Sequence, residues 1–375
     1  MTDAKPGTPY WNPTARGWRC EPPPAVIEFH RSMPGYRPTD LVEIPPLATS
    51  LGVARLLVKV ENGRFGLPAF KILGAGYAIA RALSARLGVP DRALPLDELR
   101  RELAPPGHPG SVTVVTATDG NHGRAVARTA RLLGLPAQIW FPAGITHAAK
   151  EAIAGEGAEL VEVTGGYDEA VARAAAAVGQ QPNAMLVQDT SWPGYQQVPG
   201  WIVDGYGTLF AEADTQLAES GIDAPDLVVI PVGVGSLAQA AVRHYRSGSA
   251  SPVLLAVEPA AAPAILASLR SGEPTSVPTS PTVMTGLNCG TPSADAWPVL
   301  RSGLDAAIAV TDALAVAAVH ELAEHGVDAG PCGAATLAGV RALRSDPAGR
   351  LAIGPDATVL LVSTEGRAAN PLQQP

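Results

Sequence analysis

The stretch VVIPVGVGSLAQAAVRHY, residues 228–245, decides the fold. Val228 to Val232 is a short apolar run rich in β-branched residues, the mark of a strand buried on both faces. It ends at Gly233-Val234-Gly235-Ser236, and an Ala-rich helical pattern starts at Leu237. A strand that passes into a helix through glycines leaves backbone N–H groups open at the helix start, which suits an anion. Two ligands fit this pattern. One is a phosphate group cradled in the loop. The other is a dinucleotide: Gly233, Gly235 and Ala238 spell G-x-G-x-x-A, and Glu258 lies 20 residues beyond Ala238.

The same strand–loop–helix unit recurs on both sides. Strands are expected at RLLVKVE, SVTVVTAT (111–118), PAQIWF, AELVEVT, AMLVQDT, DLVVIPV, PVLLAVE and ATVLLVS (357–363), with helical patterns between them, the longest over about 199–219. This alternation predicts parallel sheets in an α/β architecture. The first 40 residues, rich in Pro, Trp and Arg, have no clean period and should wrap the surface. The Pro-rich segment 94–110 reads as a connection into a second unit. No internal repeat of fixed period is visible.

Candidate chemistry collects where strands end. GLPAFKILGAGYAIARAL (66–83) puts Lys71 among Phe70, Ile72 and Leu73, just ahead of an amphipathic helical pattern that runs from Tyr77. Lys71 fits a snorkelling lysine at a helix end. It also fits a desolvated amine of lowered pKa, suited to Schiff-base chemistry. TATDGNHGRAVA (116–127) carries Asp119-Gly120-Asn121-His122-Gly123 at a second helix start, either an anion site or an ordinary capped turn. LLVSTEGR (360–367) ends a strand with Ser363 and Thr364, which could offer a hydroxyl to a ligand or form a plain turn.

The bulk properties narrow the function. The chain has 375 residues, 46% hydrophobic and 17% charged, enough for more than one compact unit. A net charge of −8 argues against nucleic acid or an anionic membrane as partner, so an anionic ligand must be held by local devices. Cys20, Cys289 and Cys332 lie far apart, without metal-ligand spacing, and point to a reducing compartment. The start has no signal-peptide pattern, and no apolar run reaches a membrane span. A cytoplasmic protein is the expectation.

Taken together, RFGLPAFKILGAGYA, TATDGNHGRAVA, QDTSWPGYQQVPGWIVDGYGTL, PVGVGSLAQA, TGLNCGTPSADAW and VSTEG resemble the fold type II family of pyridoxal-phosphate enzymes, and within it the diaminopropionate ammonia-lyases. The resemblance covers roughly residues 40–370. The lysine and glycine-loop motifs serve the whole fold type. DGNHG and the QDTSW block are closer to the ammonia-lyase branch, since serine and threonine dehydratases usually carry Ser or Ala where Asp119 stands.

The resemblance implies two open, twisted, mostly parallel sheets flanked by helices. A large cofactor domain (1–88 and 192–375) would carry a smaller inserted domain (89–191). Lys71 would hold pyridoxal 5'-phosphate covalently, beside Phe70. Gly233, Val234, Gly235 and Ser236 would hold its phosphate, Asn121 its ring oxygen, and Ser363 or Thr364 its ring nitrogen. Thr118, Asp119, Gly120, His122 and Tyr195 would receive the substrate, with the carboxylate on backbone N–H groups of the Asp119–His122 loop. Lys71, Asp119 and Asp189 would move protons, with no metal involved.

The implied reaction is elimination of ammonia from 2,3-diaminopropionate or a related β-substituted amino acid, giving pyruvate and ammonia in a cytoplasmic homodimer. The alternatives are β-replacement, dehydration of a hydroxy amino acid, and, more distantly, a non-catalytic cofactor-binding protein. One departure stands out. Ammonia-lyases of this kind usually read SGESGA where this chain has DAGPCGAA (328–335), so Pro331 and Cys332 replace Glu and Ser. The expected consequence is a lost acceptor near the substrate, with weaker action on plain diaminopropionate than on a modified relative.

Overall fold

A computed structural model describes residues 8–103, 112–118, 120–344 and 353–372. The strands are β1 (Tyr10–Trp11), β2 (Leu41–Glu43), β3 (Arg55–Val60), β4 (Thr113–Ala117), β5 (Ala137–Pro142) and β6 (Glu159–Val163). They continue as β7 (Ala184–Leu186), β8 (Leu227–Pro231), β9 (Val253–Pro259), β10 (Ala306–Val310) and β11 (Thr358–Ser363). The helices begin with α1 (Ile27–Ser32), α2 (Pro45–Leu51), α3 (Ile72–Arg86), α4 (Leu96–Leu103), α5 (Asn121–Leu133), α6 (His147–Ala154) and α7 (Tyr167–Gly179). After them come α8 (Gln197–Glu219), α9 (Ser236–Ser247), α10 (Ala264–Ser271), α11 (Ala296–Gly303), α12 (Asp312–Glu324) and α13 (Pro331–Arg344).

Two sheets result. The larger runs β1-β10-β9-β8-β11-β3-β2, parallel throughout except at its two edge strands. The smaller runs β6-β5-β4-β7 and is wholly parallel. Both follow from residue pattern. β8 and β9 are buried at every position, as strands covered by helices on both faces must be. Alternate residues sort into opposite cores: Val228 and Ile230 pack with α3, α8 and α9, whereas Leu227 and Val229 pack with α2, α12 and α13. A smaller core joins Val115 and Leu186 to Ala170 and Ala174 of α7.

Four expectations change. α3 starts at Ile72 and is buried nearly all round, because α8 crosses it at contact distance. A Cβ on Gly205 would lie 2.4 Å from the Leu73 carbonyl oxygen, and one on Gly74 would lie 2.5 Å from the Tyr206 ring. The Pro-rich connection contains α4, whose Leu96, Leu99 and Leu103 are buried; its end, 104–110, lies outside the described residues. The N-terminal segment enters the body, pairing β1 with β10 and burying Phe29 and His30 of α1. β10 was not expected as a strand: its Ala-rich AAIAV has weak β preference, and burial beside β9 overrides that.

Two buried polar assemblies lock the approach to Lys71. Arg64 reaches Glu61 at 2.6 Å and Glu212 at 2.7 Å, while Lys59 reaches Glu212 at 2.9 Å, all with side chains essentially inaccessible. Thr39 and Tyr36 donate to the same carboxylates. This fixes the turn at Phe65, which has φ +52°, six residues before Lys71. His30 sits nearby between the Thr208 hydroxyl (2.7 Å) and the Leu73 carbonyl (2.9 Å). The carbonyl requires Nε2–H, so Nδ1 accepts from Thr208 and the ring is neutral.

Burial pushes the pKa of His30 down to about 3. In the unfolded chain the imidazole protonates below about 6.5. Stability from this group is therefore complete above that value and drains away as pH falls toward 3. Between pH 7 and pH 5 we expect a loss of about 2 kcal/mol through His30. Urea midpoints at both pH values, for wild type and His30→Gln, measure it. A variant as acid-sensitive as the wild type would show that the imidazole is not the source.

Candidate active site

A cavity of about 1140 Å³ opens where β4, β8 and β11 end and α3, α5, α9 and α13 begin. Lys71, at the N-cap of α3, projects into it with a half-buried side chain. Its Nζ donates to Asp189 Oδ2 at 2.6 Å. Burial disfavours the charged amine, but the Asp189 carboxylate outweighs it, and the pKa of Lys71 lies above its ordinary value. The expectation of a lowered pKa is corrected here, because the sequence could not place a carboxylate on the amine. Asp189 responds in the opposite sense. Burial would raise it, yet the Lys71 ammonium that donates to it holds it well below the usual carboxylate range.

The glycine loop lies against this pair. Gly235 has φ +105°, a conformation that favours glycine, and Ser236 opens α9. Gln239 N–H makes an intrahelical bond back to Gly235, so the amides just before it point out of the helix toward the cavity. Side chains have little room there: a Cβ on Gly233 would lie 3.1 Å from Cys289 Sγ and 3.3 Å from the Gly286 carbonyl oxygen, and one on Gly235 would lie 2.8 Å from Leu300 Cδ1. Ser236 Oγ donates to the Asp189 carbonyl at 2.7 Å, tying the loop to the carboxylate segment. An anion cradle, a reactive-type lysine and a bare backbone wall in one cavity fit a phosphorylated carbonyl cofactor.

The remaining expected residues divide clearly. Phe70, Thr118, Gly120, Asn121, His122, Val234 and Thr364 all line the cavity. Asp119 lies outside the described residues. Of the two candidate hydroxyls, Thr364 faces the cavity, whereas Ser363 Oγ is buried behind it without a partner, against Gly333. Tyr195 is displaced from the site. Its hydroxyl bridges the Leu186 carbonyl and the Gln188 amide, and its ring stacks on Trp192 at 4.5 Å. Glu258 is likewise removed from any ligand: both its oxygens accept from the first amides of α10, at 2.8 and 2.7 Å. The dinucleotide reading fails for that reason.

His122 carries a feature the sequence did not show. Nε2 donates to the Val187 carbonyl at 2.8 Å, leaving Nδ1 a buried acceptor without a partner, 3.8 Å from Asp189. Burial lowers its pKa, keeping the ring neutral.

Sequence reasoning also missed Glu365, although VSTEG contains it. Its carboxylate accepts from Asn121 Nδ2 at 2.7 Å and from the Cys332 amide at 3.3 Å. Burial raises its pKa, opposed by hydrogen bonds from Cys332, Asn121 and Asn370. Glu365, two residues past β11, thus puts a carboxylate against the start of α13, where Pro331 and Cys332 stand. Cys289 and Cys332, distant in sequence, both line the cavity. Among the described residues no cluster of His, Cys, Asp and Glu could hold a metal, and no helix is long and apolar enough to cross a membrane.

Comparison with known proteins agrees with this chemistry. Residues 33–365 match the family model described as pyridoxal-phosphate dependent enzyme. The chain is 37% identical to diaminopropionate ammonia-lyase of Escherichia coli strain K12 over 353 residues, 90% of this chain and 87% of that one. It is 30% identical to L-threonine ammonia-lyase of Geobacter sulfurreducens over 213 residues, 56% of this chain and 49% of that one. Among solved structures, the Escherichia coli diaminopropionate ammonia-lyase in complex with D-serine superposes with a TM-score of 0.88 at 33% identity, covering 96% of this chain and 94% of that one. The lysine, the glycine cradle and the matched length together place the chain in the pyridoxal-phosphate dependent enzyme family.

Proposed function

We propose that this chain eliminates ammonia from 2,3-diaminopropionate, forming pyruvate and a second ammonia. The observation that carries the reading is the Lys71–Asp189 pair, 2.6 Å apart in the cavity that also holds the glycine cradle. The similarity to diaminopropionate ammonia-lyase supports the choice of substrate. Residues 1–88 and 192–375 would form the cofactor domain, with 89–191 as the smaller one. We place the enzyme in the cytoplasm as a homodimer, on the family resemblance.

When bound, pyridoxal phosphate supplies an electron sink that makes the substrate Cα–H acidic. Lys71 would attach the cofactor, and its amine, when neutral, would be the base placed to take that proton. Gly233 to Ser236 would hold the phosphate, Thr364 would serve the ring nitrogen, and Asn121, itself held by Glu365, the ring oxygen. The amides of the loop before α5 receive the substrate carboxylate. The β-amino group cannot leave as an amide anion, so a proton must reach it as the C–N bond breaks. Asp119 and Asp189 would do this work, Asp189 as an ionised carboxylate that takes up a proton and passes it on, and its charge would also attract the β-ammonium that serine and threonine lack. The neutral His122 Nδ1 provides a place for a proton beside Asp189.

Asp189→Asn should keep the cofactor's visible absorbance and lower turnover by roughly a hundredfold or more. Pyruvate release from diaminopropionate and serine, normalised to bound cofactor, measures this. If the loss is confined to cofactor content, Asp189 holds the site together and does not move protons. If serine is the better substrate for the wild type, the ammonia-lyase reading fails.

A further inference from the structure

Tyr206 carries a polar atom that the packing around it leaves unanswered. It stands on α8, fully buried, where that helix crosses α3. A Cβ on Gly74 would lie 2.5 Å from its Cε1, so the ring is seated against bare backbone. Phe70 packs on it, with ring centroids 4.7 Å apart and planes tilted by 50°. Phe70 lines the cavity, and Tyr206 lies behind that lining. In this apolar seat the Tyr206 hydroxyl is buried without a hydrogen-bond partner. Such a group destabilises the fold, and a phenylalanine of nearly the same shape would avoid the penalty. A hydroxyl kept under those terms calls for a use in another state of the site.

The reactive amine is its neighbour. Lys71 Nζ is 5.5 Å from the centroid of the Phe70 ring and 5.9 Å from that of Tyr206. The charged groups that act on the Tyr206 hydroxyl are Lys71 and Asp189, while burial raises its pKa and keeps it protonated and uncharged. On the amine, in turn, the ionisable groups that act are Asp189, Tyr206 and Cys289, with His122 beyond Asp189 at 3.8 Å. Asp189 takes one N–H of Lys71 at 2.6 Å. A neutral amine has two N–H bonds and one lone pair. Held by one N–H alone, it can still turn about Cε–Nζ and swing the lone pair off target. A second acceptor stops that rotation. Because Tyr206 lies outside the cavity lining, an N–H directed at it points away from the substrate space.

We infer that Tyr206 is a positioning residue: its phenol oxygen accepts the second N–H of the neutral Lys71 amine and so aims the lone pair at the substrate Cα–H. This rests on Lys71 as the base of the elimination reading and deepens it. When the Cα–H bond breaks, its proton goes to the lone pair of Nζ. The ammonium then keeps its bonds to Asp189 and Tyr206, and its third N–H is the proton just taken.

Tyr206→Phe removes one oxygen and keeps the ring against Gly74 and Phe70. Two pH profiles are measured for wild type and variant. One is kcat for pyruvate release from diaminopropionate, per bound cofactor. The other is the rate at which cofactor-free enzyme attaches pyridoxal phosphate, followed by visible absorbance. Both need the neutral amine. In the variant the plateau kcat should fall about tenfold with KM unchanged, since the lost bond matters only in the transition state. A phenol oxygen holds an ammonium more strongly than an amine, so its loss lowers the pKa of Lys71, and the acid limb of both profiles should move to lower pH. The urea midpoint of the cofactor-free protein should rise, because the unmet hydroxyl is gone. A variant with the wild-type plateau kcat overturns the inference. So does a fall in kcat with neither acid limb moved, which is a packing effect, and so does a lowered urea midpoint, which shows that the hydroxyl already has a partner. Wild-type enzyme that carries its cofactor yet gives no pyruvate removes the elimination reading, and the attachment profile then still decides whether Tyr206 acts on the amine.

Discussion

Lys71→Ala should lose the visible absorbance of the bound cofactor and at least about a thousandfold in turnover, within the range that a positioned proton-transfer group contributes. The amine has two duties in sequence. It forms the covalent bond that retains the cofactor, then accepts the Cα proton. Removing it also leaves Asp189 buried without its 2.6 Å partner. The carboxylate's pKa should then rise, so cofactor affinity will depend more steeply on pH in the variant. Borohydride treatment of the wild type, followed by peptide mapping, should place the reduced cofactor on Lys71. A label on another lysine would falsify the assignment. High added concentrations of a small primary amine should restore part of the turnover in Lys71→Ala, which a collapsed site would not allow.

The second large effect is on stability. Arg64→Met should destabilise the fold by about 3–5 kcal/mol, because it leaves two buried carboxylates, Glu61 and Glu212, with Lys59 bonded to Glu212 alone. Replacing the whole set by apolar residues would cost far less, since the penalty comes from uncompensated charge and not from a lost attraction. The turn at Phe65 links this network to Lys71, so the variant should also show a raised KM under conditions where it remains folded. Denaturant midpoints for Arg64→Met and Arg64→Lys test both points. If the single and conservative variants lose equally little, the network is slack and the turn is fixed by packing alone.

Much of this molecule is legible in its residues because burial and period dictate it. Leu227 to Pro231 reads as a buried strand, and Gly233 to Ser236 as a cradle, where φ +105° at Gly235 favours glycine and a Cβ on Gly233 would crowd Cys289 and Gly286. What the sequence hides is the meeting of distant segments. Asp189 and Lys71 are 118 residues apart, and their pairing reverses the pKa shift expected from the apolar neighbours of Lys71. Glu365 and Cys332 are 33 apart, so no local pattern shows that the Glu365 carboxylate accepts from the Cys332 amide. Tyr195 sits in a motif typical of the site yet spends its hydroxyl on backbone, which no local pattern reveals. The Ala-rich β10 became a strand only through its place beside β9.

The contact between α3 and α8, where backbone meets backbone at Gly74 and Gly205, bears on how such an enzyme can change. Helices separated by side chains can shift by a rotamer when a neighbour mutates. Helices touching through glycine have no such slack, so the Lys71 end of the cavity is mounted on a part that drift cannot easily move. Val316, on α12, and Val283 and Leu372, on loops, line the cavity from other parts of the chain. Substrate range can therefore diversify by substitution in one region while the reactive centre stays in register. A library confined to those three positions should yield altered specificity far more often than one that includes Gly74, Gly205 or Tyr206.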